Sequence, residues 1–482
     1  MFKTKPYSHQ TAALKKCQGI NNFGYFMEMG TGKSKVLIDD ITILFRKRQI
    51  DFVFIIAPKG VYRNWVEIEI PKHLADDIKY EMMFWRSNPS KSYEYKLKKF
   101  FTSTFKDTLR IFVMNVESFS SYNGKRYGTR IAEVMGSKGL IAVDESTTIK
   151  NHKAKRTKTL ISMSKHFKFK RILTGSPITN SPMDLFSQFQ FLDSSILGVD
   201  SYYVFQHMYA KVRQTRIGSH SFTQIVGFKN LDQLTDKIQD NIFRVLKKDC
   251  LDLPDKVYTT RSIELTPVQR KLYEKIQKEA LILFDNGELV TAPSIITQML
   301  RLQQILSGFL NTDDGKQETF ASNRLDELVS ICEETSGKII IWSRFRFDII
   351  GIEKKLAATF GANTVGSFFG DTTEKQRMDL INNFQDPESP VRFFIGNPQT
   401  AGLGITLTQA TTVVYYANDF NLDTRLQSED RCHRIGQTKS VTYIDFISDK
   451  TIDEKIVKSL RNKIDISAEV LGEQAREWLT IK

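Results

Sequence analysis

Hydrophobic positions fall into short unbroken runs separated by stretches of helical spacing. In the first half, Tyr25 to Met27, Phe52 to Ala57, Arg110 to Met114, Leu140 to Val143 and Arg171 to Leu173 read as strands. In the second half, Lys338 to Trp342, Arg392 to Ile395, Thr412 to Tyr416 and Thr442 to Ile447 do the same. Unbroken apolar runs suit parallel strands covered on both faces. Strands alternating with helices predict an α/β fold of parallel sheets flanked by helices, and two strand sets of similar size predict two similar lobes. From about Met183 to Thr335 the pattern turns mostly helical, and Leu253-Pro254-Asp255-Lys256 interrupts it. The expected organisation is an N-terminal lobe over 1–250 with a helical insertion at about 183–250. A second lobe follows over 251–450 with an insertion at about 266–310, then a helical tail over 451–482. Asp453 and Glu454 suit a helix start there.

The 482 residues exceed a single ordinary core, which stops growing at roughly 250–300 residues. Lys and Arg total 69 against 55 acids, a formal charge of +14. A lysine-rich solvated surface accounts for such an excess, and so does a polyanionic partner. Placement favours the partner, because Ser146 to Arg171 holds nine Lys/Arg and no Asp/Glu. The four cysteines, Cys17, Cys250, Cys332 and Cys432, form no C-x-x-C pair, which argues against a zinc site or a disulfide framework. Reduced thiols in an intracellular compartment fit them best. The N-terminus lacks an apolar signal core, and no run approaches the roughly 20 residues that cross a bilayer. No membrane association is expected.

Two segments carry the candidate chemistry of the first lobe. Gly30-Thr31-Gly32-Lys33-Ser34 lies between a strand and a helical pattern, the context of a phosphate-binding loop. Its glycines let backbone N–H groups approach phosphate, Lys33 places a point charge near the β- and γ-phosphates, and Ser34 offers a hydroxyl to Mg²⁺. Met27 stands where the first glycine of G-x-x-x-x-G-K-S would be. Ile141-Ala-Val-Asp144-Glu145 ends an apolar run in two carboxylates. Asp144 suits the Mg²⁺ shell and Glu145 suits polarising an attacking water. ATP and Mg²⁺ are therefore the expected cofactors. Gln10 precedes the first helical stretch, and an amide can read both edges of adenine, although a lone Gln is also a common surface residue.

At this point the residues resemble the Swi/Snf family of DNA-translocating ATPases, within helicase superfamily 2. Tyr7 to Gln10 is similar to the adenine-reading segment, Met27 to Ser34 to the phosphate loop, and Ala57-Pro58-Lys59 with Trp65 to the next motif, which lies along the DNA track. Asp144-Glu145 resembles the acidic motif and Leu173-Thr174-Gly175-Ser176-Pro177 the coupling motif. Further on, Ile341-Trp342-Ser343-Arg344-Phe345 resembles the strand opening the second lobe. Gln399-Thr-Ala-Gly402-Leu-Gly404-Ile405-Thr406-Leu407 is close to G-x-G-[IL]-[NT]-L. Gln427-Ser-Glu-Asp430-Arg431-Cys-His-Arg434-Ile-Gly436-Gln437 carries the diagnostic H-R-I-G-Q core. The tail from Thr451 resembles a helix that braces the two lobes.

The resemblance implies two RecA-like lobes with helical insertions and a C-terminal helical brace. It adds Gly404 and Gln427 to the nucleotide contacts and makes Arg431 and Arg434 an arginine-finger pair. These arginines lie roughly 400 residues from Lys33, so they reach the same ATP only by closure of two lobes. Candidate phosphate-backbone contacts are Lys59, Thr174, Ser176, Arg344, Thr400 and Thr406. Lys150, Lys153, Lys155, Arg156 and Lys158 are further candidates, or a solvated loop. The implied activity is sequence-independent movement along duplex DNA without stable strand separation, remodelling protein–DNA or branched DNA structures. A strand-separating or annealing helicase, and a nucleotide-gated DNA scaffold with little turnover, are the alternatives. A monomer is expected, with room for a recruiting protein, in a bacterial or host-cell cytoplasm or nucleoid, or in a eukaryotic nucleus. The chain departs from the family at Thr147, where histidine is usual.

Overall fold

The computed structural model describes residues 2–102, 107–217, 220–285, 292–312, 315–370, 372–401 and 405–470. The chain divides into two compact units, one built mainly from Met1–Lys211 and Phe228–Asp252, the other mainly from Leu253–Asp465.

The first unit is a seven-stranded sheet in the order Tyr80–Phe84, Leu109–Asn115, Phe52–Ala57, Gly139–Asp144, Phe169–Leu173, Asn22–Met27, Ile242–Val245. Its neighbouring strands all run parallel. The run Phe52–Ala57 is buried at every position. Alternation sends Val53, Ile55 and Ala57 into one core layer with Val36, Leu37, Ile41 and Trp65. Phe52 and Phe54 go to the other face, among Phe101, Phe112, Phe119 and Phe167. One continuous apolar run thus serves two layers, as a doubly covered sheet requires.

The second unit is a six-stranded parallel sheet in the order Lys256–Ser262, Val441–Ile447, Ala410–Tyr415, Lys338–Trp342, Phe393–Gly396, Val365–Phe368. Ile339 and Ile341 enter one core and Ile340 and Trp342 the other. A separate helical layer joins Tyr273, Ile276, Leu302 and Ile305 to Ile452, Ile456 and Leu460 of the helix Ile452–Val470. That helix carries Asp453 and Glu454 in its first turn.

The stretch from Met183 to Thr335 carries helices, among them Leu185–Leu192, Pro267–Asp285, Ala292–Leu306 and Arg324–Glu334, but it is not helical throughout, least so in the insertion drawn at about 183–250. It holds a two-stranded hairpin, Ala210–Ile217 with His220–Phe228, and the strand Ile242–Val245, which pairs in parallel with Asn22–Met27. Lys256–Ser262 and the short pair Phe309–Asn311 with Gln317–Thr319 are also strands. These strands are short or lie at sheet edges, and edge strands lack the unbroken apolar run that marks a central one. Residues 286–291 and 471–482, parts of the second insertion and of the tail, lie outside the described residues.

Candidate functional site

Parallel strands deliver their loops to the carboxyl edge of a sheet, where α/β proteins bind ligands. The loop after Asn22–Met27 holds Gly30, Thr31 and Gly32, and the helix Lys33–Arg46 starts at once. Gly30 and Gly32 have φ values of 78° and 86°, a left-handed backbone that turns successive N–H groups toward one side. A Cβ on Gly32 would stand 2.3 Å from the Gln10 side-chain nitrogen. Met27, in the place of the family's first glycine, ends the strand with its side chain in the core.

Gln10 is buried and tied to this loop. Its Nε2 donates to the Thr31 carbonyl (3.1 Å), while its Oε1 accepts from the Tyr7 backbone N–H (3.0 Å). His9 Nε2 also meets the Thr31 carbonyl, at 2.8 Å. Thr31 bonds the Glu28 carbonyl through its hydroxyl (2.7 Å). Lys33 is buried at the helix start, and Ser34 follows it half-buried.

Asp144 closes the strand Gly139–Asp144, separated from the phosphate-loop strand by Phe169–Leu173 alone. Its Oδ2 accepts from the Trp65 indole N–H (2.8 Å) and its Oδ1 from the Glu145 backbone N–H (3.0 Å). Burial pushes its carboxyl upward, while the Trp65 bond and the Lys33 charge pull it back. Glu145 has φ of 49°, a left-handed conformation uncommon for a residue with a Cβ. Strain of this kind gathers at functional sites.

The intervening strand places Thr174 and Gly175 beside both segments. Thr174 is fully buried, and its hydroxyl lies 3.5 Å from Glu145 Oε2 and accepts from the Ser176 N–H at 3.1 Å. A Cβ on Gly175 would come within 2.9 Å of Met29 Cγ and 3.0 Å of Met29 N, so the two segments pack backbone to backbone. Arg244 fixes this corner by donating to the carbonyls of Phe26 (3.1 Å) and Gly175 (2.9 Å). Gln188 accepts from the Ser146 hydroxyl (2.7 Å) and donates to the Pro177 carbonyl (2.8 Å), linking the acidic segment to the Thr174–Pro177 segment. Thr147 is buried next to it, in the short turn Ser146–Ile149.

In the second unit, Arg431 and Arg434 converge, each donating to the Ile405 carbonyl at 3.3 Å. Arg431 also donates to the carbonyl of Gln427, on the helix Leu422–Glu429, at 2.8 Å. Gly404 lies outside the described residues.

The candidate backbone contacts fall in both units, Lys59, Thr174 and Ser176 in the first and Arg344, Thr400 and Thr406 in the second. Lys59 is exposed, its N–H held by the Glu117 carboxylate at 3.1 Å. Ser176 is buried in the first unit. Arg344 pairs with Asp419 (3.5 Å) and Gln303 (2.7 Å). Thr400 and Thr406 are half-buried. Lys150 bonds the Thr179 hydroxyl, whereas Lys153, Lys155 and Lys158 are exposed.

Three positioning contacts were not legible as such in the sequence: Trp65 on Asp144, Gln188 between two motifs, and Arg244 on Gly175. Only Trp65 carried a signal, since a buried indole N–H needs an acceptor.

Two family models match the chain: "SNF2-related domain" over residues 18–308 and "Helicase conserved C-terminal domain" over residues 321–436. Among curated relatives, the chain is 26% identical over 476 residues to the SWI/SNF chromatin-remodeling complex subunit snf22 of Schizosaccharomyces pombe, covering 92% of this chain and 26% of that protein. It is 27% identical over 474 residues to an uncharacterized ATP-dependent helicase of Mycoplasma pneumoniae, covering 97% of this chain and 42% of that protein. The chain therefore spans about a quarter to two-fifths of the length of these relatives. A solved structure described as the Sulfolobus solfataricus SWI2/SNF2 ATPase core in complex with dsDNA aligns over 97% of this chain and 94% of that one, at 26% identity and a TM-score of 0.43. With the phosphate loop, the acidic pair and Thr174–Pro177 all inside the first matched region, the chain belongs to the SNF2-related family of helicase-like ATPases.

Proposed function

We propose that this chain is a DNA-stimulated ATPase that translocates on double-stranded DNA, coupling ATP hydrolysis to closure of its two lobes. The observation that carries the proposal is the carboxyl-edge cluster of the first unit. Lys33 starts a helix behind two left-handed glycines, and its charge acts on the buried Asp144. Glu145 is held at the next position by backbone geometry and by Thr174.

The donor set fits Mg²⁺. Asp144 is buried with its carboxyl pushed upward, so a cation at this carboxylate relieves a desolvation cost. Asp144, Ser34 and the phosphates of ATP are the hard oxygen donors that Mg²⁺ prefers. When bound, the metal neutralises charge developing on the phosphoryl group. Lys33 and the loop N–H groups orient the triphosphate, and Glu145 takes the proton of the attacking water. Arg431 and Arg434 supply guanidinium charge to the same phosphates on closure. Cationic and hydroxyl-bearing side chains without a base-reading motif suit sequence-independent contact with a phosphate backbone.

The test is ATP hydrolysis measured with single-stranded, duplex and forked DNA, beside displacement of a triplex-forming strand and strand unwinding, each with Lys33→Ala as control. The expected result is strongest stimulation by duplex, triplex displacement without unwinding, and loss of all activity in Lys33→Ala. Unwinding of a fork without triplex displacement would favour the helicase alternative. Nucleotide-dependent DNA binding with no turnover would favour the scaffold.

A further inference from the structure

Trp65 is fully buried in the core of the first unit, and its one polar atom meets Asp144 Oδ2 at 2.8 Å. A buried indole needs an acceptor, but a carboxylate is a costly choice where a carbonyl would serve. The carboxylate chosen is the one that faces the nucleotide chemistry. The backbone around Trp65 is also irregular. Trp65–Glu69 is a π-helical turn between the helical turns Tyr62–Asn64 and Ile70–His73, and insertions of this type are frequent at functional sites.

Resting on the reading of this cluster as a Mg²⁺–ATP site, we infer that Trp65 is a positioning residue: its indole N–H fixes the plane of the Asp144 carboxylate and ties it to the segment that carries Lys59. An indole donates and cannot accept, so it orients the carboxylate without itself ligating a metal. With the Glu145 N–H on Oδ1, each oxygen accepts one of these hydrogen bonds, and a carboxylate oxygen can take a second partner such as a cation. A cationic partner in this place would compete with the metal, and a neutral donor does not. Lys59 lies six residues earlier, exposed, on a loop end held by Glu117. A phosphate backbone drawn to Lys59 pulls on the same segment that aims Trp65. Contact at the surface then reaches the metal carboxylate through one buried hydrogen bond.

The cleanest perturbation replaces Trp65 with β-(3-benzothienyl)alanine, which keeps the ring shape and loses the N–H. Trp65→Phe is the genetic counterpart. Mn²⁺ binding in the presence of ADP is read by electron paramagnetic resonance, so the primary readout is independent of turnover. Removing such a supporting contact weakens metal binding by about 10–100-fold in comparable sites. That loss is expected here with ADP affinity in the absence of metal within about twofold, a melting temperature lowered by only a few degrees in the benzothienyl protein, and a lower ratio of duplex-stimulated to basal hydrolysis. Parent-level Mn²⁺ affinity in a folded benzothienyl protein overturns the inference. So does equal weakening of metal-free ADP binding, which marks a merely structural role. If the parent protein itself binds no Mn²⁺–ADP, the reading of the site fails instead, and the parent measurement shows this before any variant is made.

Discussion

Adding one methyl group at Gly175 should disturb the loop Gly30–Gly32 without touching a residue assigned to ATP. The Cβ of Gly175→Ala would stand 2.9 Å from Met29 Cγ and 3.0 Å from Met29 N. An ordinary carbon contact is about 3.5 Å, so Met29 must retreat by roughly half an ångström. The methionine side chain can turn away, but its backbone nitrogen cannot. Retreat from the other side is opposed by Arg244, which holds the Gly175 carbonyl at 2.9 Å. Overpacking of this kind costs about 1–3 kcal/mol, and a unit of this size loses about 2–4 °C in Tm per kcal/mol. Met29 precedes Gly30 directly, so the shift passes into the loop proposed to cradle phosphate. A displacement of about 1 Å can cost 10²-fold, so about tenfold in kcat/KM for ATP is expected. Gly351→Ala is the matched control. It sits within the helix Arg346–Phe360 with nothing inside 4 Å of its added Cβ, and should stabilise by about 0.5–1 kcal/mol with parent activity. Differential scanning calorimetry and steady-state ATP hydrolysis on both variants decide the matter. A Gly175→Ala protein with the parent's Tm and kcat/KM would refute the close packing of these two segments.

Arg171→Met should destabilise by about 3–5 kcal/mol in urea melts, because it strands the Asp40 carboxylate that now accepts from Arg171 Nε at 2.7 Å, and a paired Asp40→Leu change should recover most of the loss. Asp348 is buried and pushed up to about 7 by desolvation, against hydrogen bonds from Ser343 and Ser307 and the Arg324 charge. The unfolded chain therefore releases this proton first, and stability should fall as pH rises from the ordinary value of 3.8 to about 7, by up to about 1.4 kcal/mol per pH unit, a slope that Asp348→Asn should remove from urea melts. DNA stimulation of hydrolysis should fall steeply between about 50 and 200 mM salt if cationic side chains hold the backbone, and stimulation that is flat over that range would argue against phosphate contacts.

The sheets were legible because central parallel strands leave unbroken apolar runs, as Phe52–Ala57 and Lys338–Trp342 do. The strands that escaped notice were edge or short ones. Tyr80–Phe84 mixes Glu81 into a half-buried run, and Val365–Phe368 carries a glycine and a serine. Lys256–Ser262 is half-exposed along its length. Periodicity carries little signal where only part of a strand is covered.

The candidate site was legible in the same uneven way. Backbone-defined elements announce themselves by glycines and by apolar runs that end in acid, so Gly30–Lys33 and Asp144–Glu145 could be found by spacing. Contacts between distant segments leave no local mark. Nothing near Gln188 or Arg244 indicates that the first joins Ser146 to Pro177 or that the second caps Gly175. Thr174 is the instructive case. Its hydroxyl was a candidate for phosphate contact, and in the fold it is buried beside Glu145.

The proposed coupling requires that nucleotide held by the first unit be hydrolysed only with guanidinium charge from the second. The direct measurement compares ATP affinity and duplex-stimulated turnover in Arg434→Ala and in the parent, with the folding of each unit checked by its melting transition. ATP affinity should stay within a few-fold of the parent while kcat falls by about 10³ or more. Turnover at the parent rate in a folded Arg434→Ala protein would contradict it.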